Sequence, residues 1–379
     1  MPFLTPEQTA IRDMTAAFVA DRVVPHALDW DRAETVPAAV VQEAGRLGLF
    51  GIAMPAEHGG AGADFLSCVL ATEELAAGDA GFTNMLSATN SYCLKVRDFG
   101  TEDQKRRFMR PVASGEALGC MLLSEPQAGS DAANLRTRAI RCDGGWRITG
   151  SKVFVTSGQS AGYCCIVAVT DPAAGKRGIS SFLTRTDKPG YRVLRHERKL
   201  GHRTNETCAV ELDELEVEDA DMLGRPGEGL RVALQGLDSG RIVVAAQAIG
   251  VARAALRSAN AYAGEREAFG KRIGEHQAVA FTLAEMATEV EVARAMCHRA
   301  ARLKQAGVAC TKEASMAKLF ASQMAERVTS AAIQVHGGYG FIADYRVEKY
   351  YRDARVFQIY DGTNEIQKIV IARELAAGR

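Results

Sequence analysis

Three textures of apolar and polar positions follow one another along the chain. Over residues 1 to 118, apolar residues recur at helical spacing. In PEQTAIRDMTAAFVADRVVPHA, Ile11, Met14, Phe18 and Val19 keep close to a 3.6-residue period. A glycine-rich loop, AEHGGAGAD, interrupts at 56–64, and FLSCVLATEELAAGDAG then resumes a helix that halts at glycine. Between 119 and 225 the segments shorten and turn β-branched and aromatic: GWRITGSKVFVTSG, GYCCIVAVTD, ISSFLTR and CAVELDELEV are each bounded by Gly, Asp or Pro and predict strands. From 226 onward the pattern is helical again. LDSGRIVVAAQAIGVARAALRSANAYAG predicts one long helix. The next predicted helix carries Val279, Leu283, Met286, Val290, Ala293 and Cys297, whose alternating spacing suits a bundle.

This order predicts an α+β fold with an N-terminal α-helical domain (1–118), a middle β-sheet domain (119–225) and a C-terminal four-helix-bundle-type domain (226–379). It is not the alternation of a dinucleotide-binding fold, and no GxGxxG joins a strand to a helix. No internal repeat or flexible linker is evident, so the blocks are expected to pack as one unit.

Composition narrows the functional classes. The 46 Lys+Arg balance the 46 Asp+Glu, so no basic field is present to hold nucleic acid. No membrane-spanning apolar run is read from the sequence, and the opening MPFLTPEQTAIRD is too polar for a signal peptide, which makes a cytoplasmic location the expectation. The nine cysteines are scattered without CxxC spacing and point to reduced thiols; Cys164 and Cys165 would face opposite sides of a strand. The seven histidines form no HxxxH or His/Cys cluster, so no metal is expected.

Four stretches could carry chemistry. MLLSEPQAGSD (121–131) sets Ser124, a Pro126–Gly129 turn, Ser130 and Asp131 at a helix-to-strand junction, where hydroxyls and loop amides suit a polar planar ligand or a phosphate, or simply cap a turn. In KVFVTSG (152–158), strand alternation puts Phe154 and Thr156 on one face, a wall for a flat heterocycle or a plain buried face. EREAFGKRIGEHQAVAF (265–281) places Arg266 at a helix end and breaks at Phe269-Gly270 before a new helix near Glu275; the guanidinium could grip a phosphate or only meet solvent. In GGYGFIADYRVEKYYRDARVFQIYDGTNEIQ, glycines 337, 338 and 340 allow close backbone approach. There Asp361 precedes Gly362, with Thr363 or Asn364 as N-cap of a helix whose first turn holds Glu365. Alone, Asp361 reads as a turn residue.

Taken together, LLSEPQAGSD, REAFGKRIGEHQA and the last stretch resemble the paired signatures of the acyl-CoA dehydrogenase family, in the expected order over essentially the whole chain. The resemblance implies FAD, an acyl-CoA substrate oxidised to a trans-2-enoyl-CoA, a homotetramer (a dimer of dimers) and electron-transferring flavoprotein as partner. It implies that Ser124, Phe154 and Thr156 meet the flavin ring, Phe154 standing where many relatives have Trp. Arg266, Phe269, Gln334 and Gly338 would hold the phosphates and adenosine, partly across a subunit boundary. Gln277, Thr363 and Glu365 would also touch FAD. Ser130 would lie near both cofactor and CoA, Asp238 and Arg241 near CoA, and Gly362 beside the substrate. Tyr92 and Lys95, within SATNSYCLKVRDFG (87–100), could cap a shallow pocket for short to medium acyl chains.

The resemblance also makes Asp361 the base that removes the α-proton. Relatives with a base here mostly carry Glu in YEGT, whereas this chain has YDGT; others carry Glu on the long helix, where this chain has Gly240. A thioester α-proton is too weakly acidic for a free carboxylate, so the site must stabilise the enolate and raise the pKa of the acid by drying it. The helix that follows Asp361 favours its charged form while burial favours the neutral one. A base one methylene short leaves two other reactions open on this fold, nitroalkane oxidation, in which a relative uses Asp, and oxidation of a carrier-protein thioester.

Overall fold

A computed structural model describes residues 4–378, so the outermost residues of the first and last predicted blocks, 1–3 and 379, lie outside the described residues. The N-terminal part is helical: α1 (Pro6–Phe18), α2 (Phe65–Gly78) and α3 (Ala80–Phe99), with shorter helical segments between and after them. Helix α1 opens on a capping box in which Thr5 and Gln8 satisfy each other's backbone N–H. Asp64 and Asp79 cap α2 and α3 in the same sense, each accepting a backbone N–H of the first turn.

The middle part is one mixed eight-stranded sheet built from β1 (Gly119–Leu122), β2 (Arg138–Cys142), β3 (Gly145–Thr156), β4 (Tyr163–Val169), β5 (Ile179–Arg185), β6 (Tyr191–His196), β7 (Thr207–Glu218) and β8 (Met222–Leu223). Its order is β6-β7-β3-β2-β4-β5-β8, with β1 parallel to β4. The sequence pattern predicts β3, β4, β5 and β7. It leaves out β1, β2, β6 and β8, which are short or polar and gain strand geometry from their neighbours. Strand β4 is covered on both faces: Cys164 packs with the N-terminal helices and Cys165 with Tyr92, Phe108 and Leu183, as their alternation predicts.

The C-terminal part comprises α4 (Leu237–Glu265), α5 (Gln277–Gln305), α6 (Thr311–His336), α7 (Arg346–Ala354) and α8 (Asn364–Ala376). Helix α4 is its axis. The stretch Gly229–Glu265 is long and apolar enough to cross a membrane by length and composition, which corrects the expectation that no such run exists. Here that apolarity is spent on the bundle: Ala245, Ala248, Ala252, Ala255 and Ala259 are buried against α6, α5 and α2. Alanine suits this place because it favours helix and lets backbones approach. The approach is closest at Gly250, where a Cβ would lie 2.4 Å from the Glu73 carbonyl of α2. One apolar cluster thereby joins α2 to the C-terminal bundle, and a second joins α1 and α3 to the sheet.

Sheet register also corrects the expectation of no His/Cys cluster. His196 and Cys208 are cross-strand partners on β6 and β7, and with Glu206 their ligand atoms lie within 4.8 Å of one another. Glu206 already accepts the N–H groups of Gln159 and Ser160, and burial pushes the Cys208 thiol up to about 11, so the trio is not poised for a metal.

Candidate active site

Asp361 lies in a turn that its chain would not hold unaided. Its φ is 50° and that of Gly362 is 86°, two successive left-handed residues. Aspartate tolerates this region better than most side chains, and glycine tolerates it freely. The turn is held from outside. The Gly362 carbonyl accepts Nε2 of Gln367 at 2.8 Å and Nζ of Lys318 at 2.9 Å. Thr363 is the N-cap of α8, its hydroxyl accepting the Ile366 N–H. Asn364 receives Lys318 at 3.0 Å and Ser322 at 3.1 Å. Just upstream, the Tyr360 hydroxyl donates to Gln247 of α4, which donates to Ser87 of α3 at 2.8 Å.

The carboxylate points at α4. A Cβ on Gly240 would sit 3.6 Å from its Oδ2, so the bare helix turn forms one wall. Water reaches Asp361, but protein surrounds it closely enough that burial dominates and raises its pKa from the ordinary value; Lys95, Lys318 and Arg241 pull it back down. The three cations are themselves buried. Lys95 Nζ donates to the Gln235 carbonyl. Burial draws the Lys318 ammonium down to about 8, with Asp361 and Glu365 opposing. Arg241 pairs with Asp238 at 2.9 Å, Asp238 also accepts the Thr311 hydroxyl at 2.8 Å, and the guanidinium keeps a buried Nε without a partner.

Two sequence expectations change here. Tyr92, expected to cap the pocket, is wholly buried in the core; its ring packs where a Cβ of Gly119 would be and its hydroxyl donates to the Phe108 carbonyl at 3.2 Å. Of that pair only Lys95 senses Asp361. Lys318 had no predicted role. The available signal was a lysine among Ala314, Ala317, Ala321 and Ala325, on the apolar stripe of α6.

The flavin-directed residues occupy other surfaces. A bulge between Lys152 and Val155 gives Phe154 a φ of 57°, leaving its ring 70% exposed beside the half-buried Thr156 while Val155 turns inward. The Ser124 loop is stitched to this bulge, its carbonyl accepting the Val153 N–H at 2.9 Å. Beneath it lies an ion pair that sequence reasoning missed. Glu125 accepts Lys152 at 2.8 Å, the backbone N–H groups of Arg136 and Thr137, and Gln127. Burial opposes ionisation of Glu125, but these donors outweigh it and hold the carboxyl down to about 2. Ser130 is exposed at the loop's end.

Arg266, the C-cap of α4, lines a hollow of ≈480 Å³ with Tyr262, His336, Gly337, Gly338 and Tyr339. Gln334 lines a separate one of ≈740 Å³ with Glu326 and Arg327. Of the three glycines, Gly340 is needed for close approach, since a Cβ would meet the Ile333 carbonyl at 2.4 Å; Gly338 faces open space. Phe269 is 96% exposed, and Gln277 and Glu365 also face solvent. An exposed aromatic beside hydroxyls, and a guanidinium beside bare glycine backbone, fit the ring and the phosphates of a flavin dinucleotide.

Residues 5–116, 120–215 and 227–376 match, in turn, the acyl-CoA dehydrogenase N-terminal, middle and C-terminal domains. An acyl-CoA dehydrogenase of Bacillus subtilis (strain 168) is 42% identical over 376 residues, covering 99% of each chain. A short-chain specific acyl-CoA dehydrogenase of Clostridium acetobutylicum is 40% identical over 375 residues, covering 98% of each. Butyryl-CoA dehydrogenase from Megasphaera elsdenii superposes with a TM-score of 0.96 at 38% identity, over 98% of this chain and 99% of that one. A chain from structural work on the electron transferring flavoprotein of Acidaminococcus fermentans superposes with a TM-score of 0.97 at 41% identity, over 99% of each.

Proposed function

Because the chain belongs to the acyl-CoA dehydrogenase family, a family of flavin-dependent oxidoreductases, we propose that Asp361 removes the α-proton of a short- to medium-chain acyl-CoA thioester on the way to a trans-2-enoyl-CoA. The observation that carries this reading is the carboxylate itself, set against the bare Gly240 turn in a recess that raises its pKa. A raised pKa makes a stronger base, and the three buried cations keep enough of it ionised to act. Gly240 removes the other position from which a base could reach the same space. Arg241 and Asp238 flank the recess and suit the polar part of a CoA thioester.

Ser124, Phe154 and Thr156 would hold the ring of FAD, and Arg266 and Gly338 its phosphates, with Gln277, Gln334, Phe269, Thr363 and Glu365 completing the contact. When bound, FAD supplies the acceptor for the hydride that leaves the β-carbon. These residues lie on separate surfaces of one chain, and Phe269 and Phe341 are 96% and 87% exposed, which supports a homotetramer in which a second copy covers them. Likeness to the chain from the electron transferring flavoprotein work supports that protein class as the electron acceptor.

Anaerobic stopped-flow spectroscopy of the holoenzyme with butyryl-CoA tests the reading. Rapid bleaching of the flavin is expected. Failure of every acyl-CoA to bleach it, with oxygen consumed on addition of a nitroalkane, would move the chain to the nitroalkane-oxidising reaction. Bleaching only by a thioester on a carrier protein would leave Asp361 its role and replace CoA.

A further inference from the structure

Lys95 occupies a place in α3 that an apolar side chain would ordinarily fill. Its neighbours Tyr92, Cys93 and Val96 are fully buried, and Lys95 itself is 5% exposed. An ammonium has three N–H donors. Nζ gives one to the Gln235 carbonyl and forms no ion pair among the described residues. A buried charge with so few partners is costly unless something else completes its shell.

Its position relative to Asp361 follows from two glycines. A Cβ on Gly236 would lie 3.4 Å from Lys95 Nζ, and one on Gly240 would lie 3.6 Å from Asp361 Oδ2. The Gly240 N–H donates to the Gly236 carbonyl at 2.9 Å, so the two residues are one turn apart. The ammonium and the carboxylate therefore stand over the same bare strip at the start of α4, each beside one of two glycines a helical pitch, ~5 Å, apart. A thioester whose α-carbon meets Asp361 would send its next carbons along this strip toward Lys95.

We infer that Lys95 forms a carboxylate-binding end wall of the acyl recess, so that the thioester this chain prefers carries a second carboxylate at its far end. This rests on the reading of Asp361 as the base for an acyl-CoA. The chemistry favours a carboxylate over an alkyl terminus on both counts. A methyl group pressed against Nζ would strip its remaining water and offer no acceptor. A carboxylate would take the unused N–H donors as charge-assisted hydrogen bonds. It would also supply Lys95 with a negative neighbour after Asp361 has taken up the α-proton and lost its own charge.

The test uses holoenzyme and two isosteric pairs, butyryl-CoA against succinyl-CoA and pentanoyl-CoA against glutaryl-CoA. kcat/KM is measured at a pH above the acidic limb of the profile. The wild-type protein should favour the carboxylated member of at least one pair by about tenfold or more. Lys95→Met should lose about a hundredfold more on that member than on its alkyl partner, and Lys95→Arg should retain the preference. Preference for the alkyl member in both pairs removes the carboxylate site and leaves the Asp361 reading standing. An equal loss on both members in Lys95→Met would reduce Lys95 to a structural tie to Gln235 and overturn the inference. Bleaching by no member of either pair would remove the Asp361 reading and this inference together. The wild-type ratio decides the question even if the methionine variant does not fold.

Discussion

Groups from α3, α4, α6 and its own turn gather around Asp361, all supplied by one chain, whereas Phe154 and Phe269 stand 70% and 96% exposed. The chain thus supplies the surroundings of the proposed base by itself and leaves the proposed cofactor surface open. The difference follows from how each set is fixed. Lys95, Gly240, Arg241 and Lys318 lie on helix faces that pack together, so their positions come with the core. Phe154 and Phe269 sit at left-handed φ values of 57° and 53°, where a bulge and a tight hairpin turn the ring outward. Strained backbone that presents an apolar ring to water points to a ligand or a second chain that covers it.

That contrast can be broken most directly at the base. Asp361→Asn keeps the shape and loses the charge, and flavin reduction by butyryl-CoA should slow on the order of a thousandfold or more while bound FAD and Tm stay near wild type. If the variant reduced its flavin at the wild-type rate, another group would be the base. The reverse change, at the open surface, is Arg266→Ala combined with Phe269→Ala. FAD retention on dilution should weaken about ten- to a hundredfold, and sedimentation should show smaller assemblies, with the flavin-reduction rate restored at saturating FAD. A stable tetramer with full FAD affinity would show that these side chains are surface decoration.

Asp361→Glu probes how closely the recess is cut to the shorter acid. The longer side chain would press on the Gly240 turn from a backbone that aspartate tolerates better, so kcat/KM should fall by about ten- to a hundredfold. A gain in rate would mean that Asp handicaps the enzyme.

The pH profile sharpens the electrostatic side. As the proposed base Asp361 would work ionised, and its folded pKa is raised, so kcat/KM should fall on acidification at a higher pH than for an ordinary aspartate. Lys318 draws that pKa down, so Lys318→Met should move the acidic limb to higher pH; a limb that stayed in place would exclude coupling between the two groups. By linkage, a raised carboxyl pKa lowers stability as pH climbs from the unfolded to the folded value, and Asp361→Asn should flatten that decline in Tm. The smallest effect is expected at Gly240→Ala. Its Cβ would meet Asp361 only at ordinary contact distance, so stability should rise by up to ~1 kcal/mol while KM increases severalfold, as thermal melting and steady-state rates would show.

Much of this was legible in the chain itself. Apolar spacing marks α1, α2, α4 and α5, since long amphipathic or all-apolar helices announce themselves by period, and β3, β4, β5 and β7 by β-branched runs. The YDGTNE stretch marks the turn, its N-cap and the acid at once. Tyr92 was misjudged because helical spacing near Lys95 does not say which neighbour fills the space beside each residue; β1 fills it for Tyr92, and Gly236 leaves it open for Lys95. His196 and Cys208 meet only through antiparallel register, which depends on a strand, β6, too polar to be read as one.

The sequence by itself determined the order of helical, sheet and helical blocks, the aspartate in YDGT and the absence of a carboxylate at Gly240, because these depend on local period and on single residues. Tertiary structure alone decided that burial is the largest influence on the Asp361 carboxyl, that three cations oppose it, and that Lys95 shares its strip of α4. Those are properties of distance and solvent exclusion between segments far apart in the chain, and no local pattern encodes them.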